Sequence, residues 1–147
     1  MSTTALTVTI KRPVEDVFAV LTHIENAAKW SRAIEETLTT PGPMGIGTRR
    51  HAVVPTFGGR TSENEMELTD FEPNRRLAMC SISGFPFEVR ISIDFDRLSD
   101  GTRLDWLVSF EPGGLLRLTA PLLVAVYKRT FAKDLANLKA MMEAGAL

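Results

Sequence analysis

The stretch GGLLRLTAPLLVAVYKRTFAKDLANLKAMMEA, residues 113–144, decides how the rest of the chain must fold. At 3.6 residues per turn, Leu116, Ala120, Leu123, Val124, Tyr127, Phe131, Leu135, Leu138 and Met142 fall within an arc of roughly 120°, the apolar stripe of an amphipathic helix. A stripe that long needs a surface to cover it. Leu115, Leu118, Leu122 and Val126 add apolar surface on the opposite side of the first half, whereas the second half carries Lys128, Arg129, Lys133, Lys139 and Glu143 outside. The second half therefore predicts an ordinary core helix. In the first half, slim Ala120 and Val124 hold the centre of the stripe, where a packed interior usually places larger side chains. That contrast predicts a pocket over the first half.

Composition bounds what such a helix can serve. The 147 residues suffice for one domain, 1–147, that buries about 70% of its unfolded surface. With 17 basic and 18 acidic residues the net charge is -1, and no basic stripe marks a nucleic-acid partner. Cys80 is the single cysteine, so no internal disulfide framework is expected, and MSTTALTVTI has neither a basic n-region nor a long apolar h-region. These features predict a cytoplasmic protein. The apolar run from Leu115 to Tyr127 is interrupted by Arg117, Thr119 and Pro121 and falls short of the roughly 20 residues of a membrane span.

Ahead of the helix, the period changes. Thr4 to Ile10 alternates, with Leu6, Val8 and Ile10 on one face, as a half-buried strand does. Pro13 with Glu15 and Asp16 opens a short helix through Val14, Val17, Phe18 and Leu21, and Glu25 to Ser31 forms a shorter helical piece ending near Trp30. From residue 33 until Pro112 short strands alternate with turns: Ile34–Thr39, Thr48–Val54, Arg60–Phe71, Arg76–Ser83, then Phe87 to Asp96 and Arg103 to Glu111. Pro41 to Gly47, Phe57-Gly58-Gly59, Glu72-Pro73-Asn74, Gly84-Phe85-Pro86 and Ser99-Asp100-Gly101 supply the turns. A seven-stranded antiparallel sheet with one apolar face and a helix with one apolar stripe must pack on each other, and the sheet must curve to cover so long a helix. The fold class is α+β, with two short helices between strands one and two.

That order, with Arg12-Pro13-Val14-Glu15-Asp16-Val17-Phe18, Ile24-Glu25-Asn26-Ala27-Ala28-Lys29-Trp30, Gly45-Ile46-Gly47-Thr48, Phe71-Glu72-Pro73-Asn74-Arg75-Arg76-Leu77 and Asp100-Gly101-Thr102-Arg103-Leu104, resembles the SRPBCC superfamily. More narrowly it is similar to its polyketide cyclase/dehydrase-type members, relatives of START domains and of the birch pollen allergen. The resemblance covers nearly the whole chain. It implies a helix-grip fold enclosing a cavity for hydrophobic small molecules, on a scaffold that hosts several functions. His23 departs from the pattern, since relatives commonly place a helix-capping aspartate there, and a weaker start to the second helix is expected.

Few residues suggest chemistry. His23 and His51 lie at no zinc-ligand spacing from Cys80 or from paired carboxylates, so neither a metal nor a cofactor is expected. Gly42 to Gly47 lacks the Gly-Lys-Ser/Thr of a phosphate loop and joins strands; there is no Gly-x-Ser-x-Gly elbow, and Cys80 has no adjacent basic residue. Glu63, Glu65 and Glu67, with Arg90, Arg97 and Arg103, read as solvated outer faces. Strand parity places Asn64 with Met66 and Leu68, Ser81 with Leu77 and Met79, and Glu36 with Ile34 and Leu38 on the core side. Arg50 or His51 faces inward depending on register. Each has a plain alternative: a bulge turning Glu36 outward, a backbone hydrogen bond for Ser81, a watered sheet end for Asn64. Trp30, Trp106 and Tyr127 suit pocket walls, Trp106 equally the core. The candidate ligand-binding set is Trp30, Arg50, Asn64, Met66, Leu68, Met79, Ser81, Ile91, Trp106, Ala120, Val124 and Tyr127, around a ligand between the first half of the helix and the sheet.

Three functions compete. The first is binding of a lipid- or polyketide-like hydrophobic molecule. The second is a polyketide cyclase or dehydratase, which needs an acid or base inside the pocket and which a buried Glu36 near Arg50 or His51 would favour. The third is an interaction module, including a homodimer, built on exposed Leu115, Leu118 and Leu122 over a filled cavity.

Overall fold

Alternation of side chains across a strand turns one face of each predicted strand inward, and the chain obeys it. The computed structural model describes residues 2–85, 87–111 and 113–147; Met1, Pro86 and Pro112, and the side chains of Ser2, Glu25, Phe57 and Leu116, lie outside the described residues. Strand β1 (Ser2–Ile10) leads into helix α1 (Val14–Thr22), a 3-10 turn (Ile24–Asn26) and helix α2 (Ala27–Trp30). Strands β2 (Glu35–Leu38), β3 (Arg49–Pro55), β4 (Thr61–Glu72), β5 (Arg76–Ser83), β6 (Glu88–Leu98) and β7 (Gly101–Glu111) follow, then a 3-10 segment (Gly114–Leu118) and helix α3 (Ala120–Glu143). The strands form one antiparallel sheet in the order β1-β7-β6-β5-β4-β3-β2, so the two short helices carry the chain from one edge to the other. This is the helix-grip fold.

The inner face is continuous. Val89, Ile91, Ile93 and Phe95 of β6 and Leu104, Trp106, Val108 and Phe110 of β7 are all buried. Phe18 of α1 meets Phe71 and Phe95 edge-on at 5.6 and 5.1 Å, which closes the core on the side of the helical corner. On the outer face, Arg90 pairs with Glu88 at 2.6 Å and Arg103 with Asp96 at 2.9 Å, exposed pairs that add little stability. The end of β1 lies close against the β6–β7 turn because Gly101 has no side chain: a Cβ there would stand 2.3 Å from the Ile10 carbonyl oxygen.

Helix α3 is held firmly at its C-terminal end. Leu135, Leu138 and Met142 are buried, and Arg12 Nη1 donates to the carbonyls of Met142 at 2.8 Å and Leu147 at 3.0 Å. The Met142 carbonyl lies in the last turn of α3, where acceptors lack intrahelical partners, and Leu147 lies beyond the helix, so Arg12 ties both the helix end and the chain after it. The Glu143 carboxylate accepts from the Lys11 amide at 3.0 Å, and Lys139 donates to the Thr9 carbonyl.

The stripe over residues 113–144 differs from the expectation in two ways. It is not one helix: Pro121 lacks an amide hydrogen and would clash with the carbonyl four residues earlier, so it takes the second position of α3 and the residues before it wind as a 3-10 segment. Phe131, expected in the core, is only half-buried, because its ring stands against Trp106 at 6.0 Å beside a cavity. The cost of Phe131→Ala accordingly falls to about 2 kcal/mol, near half of what a fully enclosed phenylalanine loses, and chemical denaturation will measure it. The second helical piece opens as a 3-10 turn before four α residues, with the Asn26 side-chain amide 3.1 Å from His23 Nδ1.

Candidate functional site

Strand β3 carries the decisive register. Arg50 pairs with Met66 across to β4 and with Leu38 across to β2, and it points inward with only 9% of its surface exposed. His51 therefore faces out, 3.6 Å from Glu63. Two residues on, Ala52 points inward again and is 1% exposed.

Arg50 reaches into the mouth of a cavity of about 120 Å³ enclosed by the sheet, the α1–α2 corner and the middle of α3. That is near the size that takes up a single aromatic ring, below the roughly 300 Å³ of a drug-sized site. Leu21, Ile24 and Ala27 supply one wall, Met66, Met79 and Ile91 the floor, and Tyr127, Phe131 and Leu135 the α3 side. Trp30 and Trp106, the two tryptophans of the chain, both line it. Aromatic contacts order the α3 wall: Tyr127 lies 4.9 Å from Phe110 and 6.2 Å from Phe131, and the Arg32 guanidinium sits 5.9 Å over the Tyr127 ring.

The polar groups are concentrated around Arg50. Its Nη1 is 3.9 Å from Glu36 Oε1 and donates a long bond of 3.4 Å to Asn64 Oδ1, while Nη2 points at Met66 Sδ at 3.0 Å. Burial pushes the Glu36 carboxyl above its ordinary range, with the Arg50 charge opposing, and pushes the guanidinium down, with Glu36 opposing. A guanidinium stays charged regardless, so the cavity holds a fixed positive group beside a carboxyl that binds its proton more readily than usual. On α3, burial lifts Asp134 from 3.8 to about 6, with the Arg32 charge opposing and Glu36 reinforcing. The indole nitrogens of Trp30 and Trp106 are buried and have no acceptor among the described residues. Each such orphan donor costs about 1–3 kcal/mol.

Asp134 yields a pH prediction. Its folded pKa is raised, so between about pH 4 and pH 6 the folded state binds the extra proton and stability falls as pH rises. Asp134→Asn removes that cost while keeping an oxygen to accept from the Arg32 backbone. It should stabilise the protein by about 1 kcal/mol at pH 8 and leave it unchanged at pH 4, as thermal melts at the two values will show.

Of the candidate residues, Trp30, Arg50, Asn64, Met66, Met79, Ile91, Trp106 and Tyr127 line the cavity, and Leu68, Ser81, Ala120 and Val124 do not. Leu68 is enclosed in solid core, 1% exposed. Ser81 Oγ accepts from the Val89 amide at 2.9 Å, beside a register shift between β4 and β5. Ala120 is buried and Val124 packs on the core: small side chains let neighbours close in instead of leaving a gap, and the space lies further along α3. Asp134 and Ala52 escaped the candidate set, although Asp134 lies within about 60° of Phe131 on a helical projection and Ala52 shares the parity of Arg50. Cys80 is partly buried, its thiol pushed up by burial and by Glu88, which suits no nucleophile. Among the described residues no cluster of three metal-ligating side chains forms, and no helix is long and apolar enough to cross a membrane.

A family model described as polyketide cyclase / dehydrase and lipid transport matches residues 1–143. A comparison with curated protein sequences finds no significant match. Among solved structures, a protein from Thermus thermophilus, TTHA0849, superposes with a TM-score of 0.81 at 16% identity, covering 99% of this chain and 100% of that one. The Zhui aromatase/cyclase from Streptomyces sp. R1128 gives 0.79 at 17%, covering 99% and 96%. The protein Ara h 8.0201 gives 0.74 at 16%, covering 96% and 97%. These are likenesses of fold.

Proposed function

Since the chain belongs to the polyketide cyclase/dehydrase and lipid transport family of the SRPBCC superfamily, we propose that it binds a small, largely apolar molecule carrying a hydrogen-bond acceptor, in the cavity beneath α3. The observation that carries this reading is the mismatch of polar groups in an apolar chamber. Arg50 has a long bond to Asn64, a sulfur contact and the Glu36 carboxylate no nearer than 3.9 Å, and two buried indoles have donors with no acceptor among the described residues. A ligand carbonyl or ring oxygen would relieve that deficit; a pure hydrocarbon would not. Both tryptophans line the cavity, so their emission reports occupancy directly. Acetophenone should quench it at concentrations at least about tenfold lower than cumene, a hydrocarbon of the same shape, given about 1.4 kcal/mol for one hydrogen bond made. Equal titrations for the two compounds sink the acceptor requirement, and no quenching by either sinks the site.

A second reading is favoured by one feature: Asp134, titrating near 6, shares the cavity with a fixed guanidinium. A carboxylate poised near neutrality can take a proton from carbon next to a carbonyl, while Arg50 and the indole donors hold the oxygen on which negative charge develops. That is the elementary step of an aldol cyclisation. The distinguishing measurement is exchange of the acetophenone methyl protons with deuterated water, followed by NMR. Acceleration by the protein that is lost in Asp134→Asn makes it an enzyme; binding without exchange makes it a carrier.

A further inference from the structure

The N-terminal end of the gripping helix presents an apolar face that the fold does not use. Leu115 and Leu118 of the 3-10 segment are 85% and 82% exposed, and Leu122 and Val126 of α3 are 68% and 52% exposed. Along α3 the same stripe continues from Leu122 and Val126 into Arg129 and Lys133, at spacings of four, three and four residues. Between Glu111 and Asp134 the chain has four basic residues, Arg117, Lys128, Arg129 and Lys133, and no acidic one, although its overall balance is -1. All four are exposed. An apolar stripe that passes into exposed positive charge is the pattern of a helix lying in a lipid–water interface, leucines among the acyl chains and basic groups at the headgroups.

We propose that this face docks on the surface of an anionic membrane. Charge selects that occupant over a second copy of the chain. A two-fold interface would set the stripe against itself and bring Arg129 and Lys133 of both copies together with no carboxylate in the stretch to answer them. The position in the fold gives docking a use. Phe110 of β7 pairs with Val89 of β6, so the segment after β7 leaves the sheet at the end where β5 finishes with exposed Ile82 and the β5–β6 connection holds cavity-lining Phe85. Membrane contact thus falls at the cavity end built from Phe85 and beside the helix that roofs it. Docking goes beyond the proposed ligand binding and is measured without any ligand.

The test is co-sedimentation of the full chain with vesicles of phosphatidylcholine alone and of phosphatidylcholine with phosphatidylglycerol in about a 7:3 ratio. The protein should partition at least about tenfold more strongly to the anionic vesicles, and raising the salt to about 0.5 M should remove most of the difference. Leu115→Ser/Leu118→Ser/Leu122→Ser should abolish partitioning with an unchanged circular dichroism spectrum, since the side chains are already in water. Arg129→Glu/Lys133→Glu should reduce it about tenfold or more and decides alone if the serine variant fails to fold. Three results overturn the proposal: no preference for anionic vesicles, unchanged partitioning of the charge-reversed variant, or a dimer in light scattering that the serine substitutions dissolve. The last assigns the face to a second copy.

Discussion

Replacing Arg50 with methionine should destabilise the protein by about 3–5 kcal/mol at pH 8, the cost of leaving one member of a buried ion pair without its partner. Glu36 is the residue left behind: 3.9 Å from the guanidinium, similarly buried, with a carboxyl that burial already pushes upward. Without Arg50 that shift grows, because the opposing charge is gone. The sign of the pH dependence follows. A carboxyl whose folded pKa lies above its unfolded 4.5 loses stability as pH rises through the window between the two values, so the penalty of Arg50→Met should shrink markedly at pH 5, where Glu36 can take up a proton. Adding Glu36→Gln should recover most of the loss at pH 8 and nothing at pH 5. Urea denaturation of the two single variants and the double variant at both pH values measures the coupling; additive losses would mean that the two groups do not sense each other.

The largest effect on binding should come from Ala52→Phe. Ala52 is 1% exposed, points inward on β3 between Arg50 and Val54, and lines the cavity. A phenyl ring added there occupies about the space that a 120 Å³ cavity offers. Overpacking costs about 1–3 kcal/mol, which the fold should survive, while acetophenone quenching of the tryptophans should weaken at least about 100-fold. Val124→Trp, a blocking substitution on the sequence pattern alone, should leave binding within about threefold, because Val124 stands outside the cavity wall. If Val124→Trp blocks and Ala52→Phe does not, the ligand lies under the first half of α3 after all.

The difference between those two substitutions shows what a sequence encodes and where it stops. Period-two alternation in 87–96 and 103–111 is a local property, and it placed Ile91, Trp106 and Val108 on the inner face without error. The break before α3 was also written locally, in Pro121, although the apolar stripe running through it masked the signal. The position of the cavity is not local. It depends on the separation of α3 from the sheet, which is set by where small side chains allow approach and where Tyr127 and Phe131 hold the helix off, and a projection of one element contains no such distance. Register has the same character. Arg50 and His51 were equivalent until pairing with Leu38 and Met66 fixed which one points inward, and a slip by one residue would exchange a buried cation for a buried histidine.

The two ends of α3 are attached in unlike ways, and that asymmetry gives the roof of the cavity a mechanics. At one end Arg12 clasps the last carbonyls while Lys139 and Glu143 tie the helix to the end of β1. At the other, Gly113 and Gly114 lead in, Gly114 at a φ of 58°, with open space where side chains would be. A helix tied down at one end and led in by glycines at the other should release its backbone amides from the glycine end inward: amides over 122–127 are expected to exchange with deuterated water faster than those over 135–142, and uniform protection would mean that the helix is clamped along its whole length.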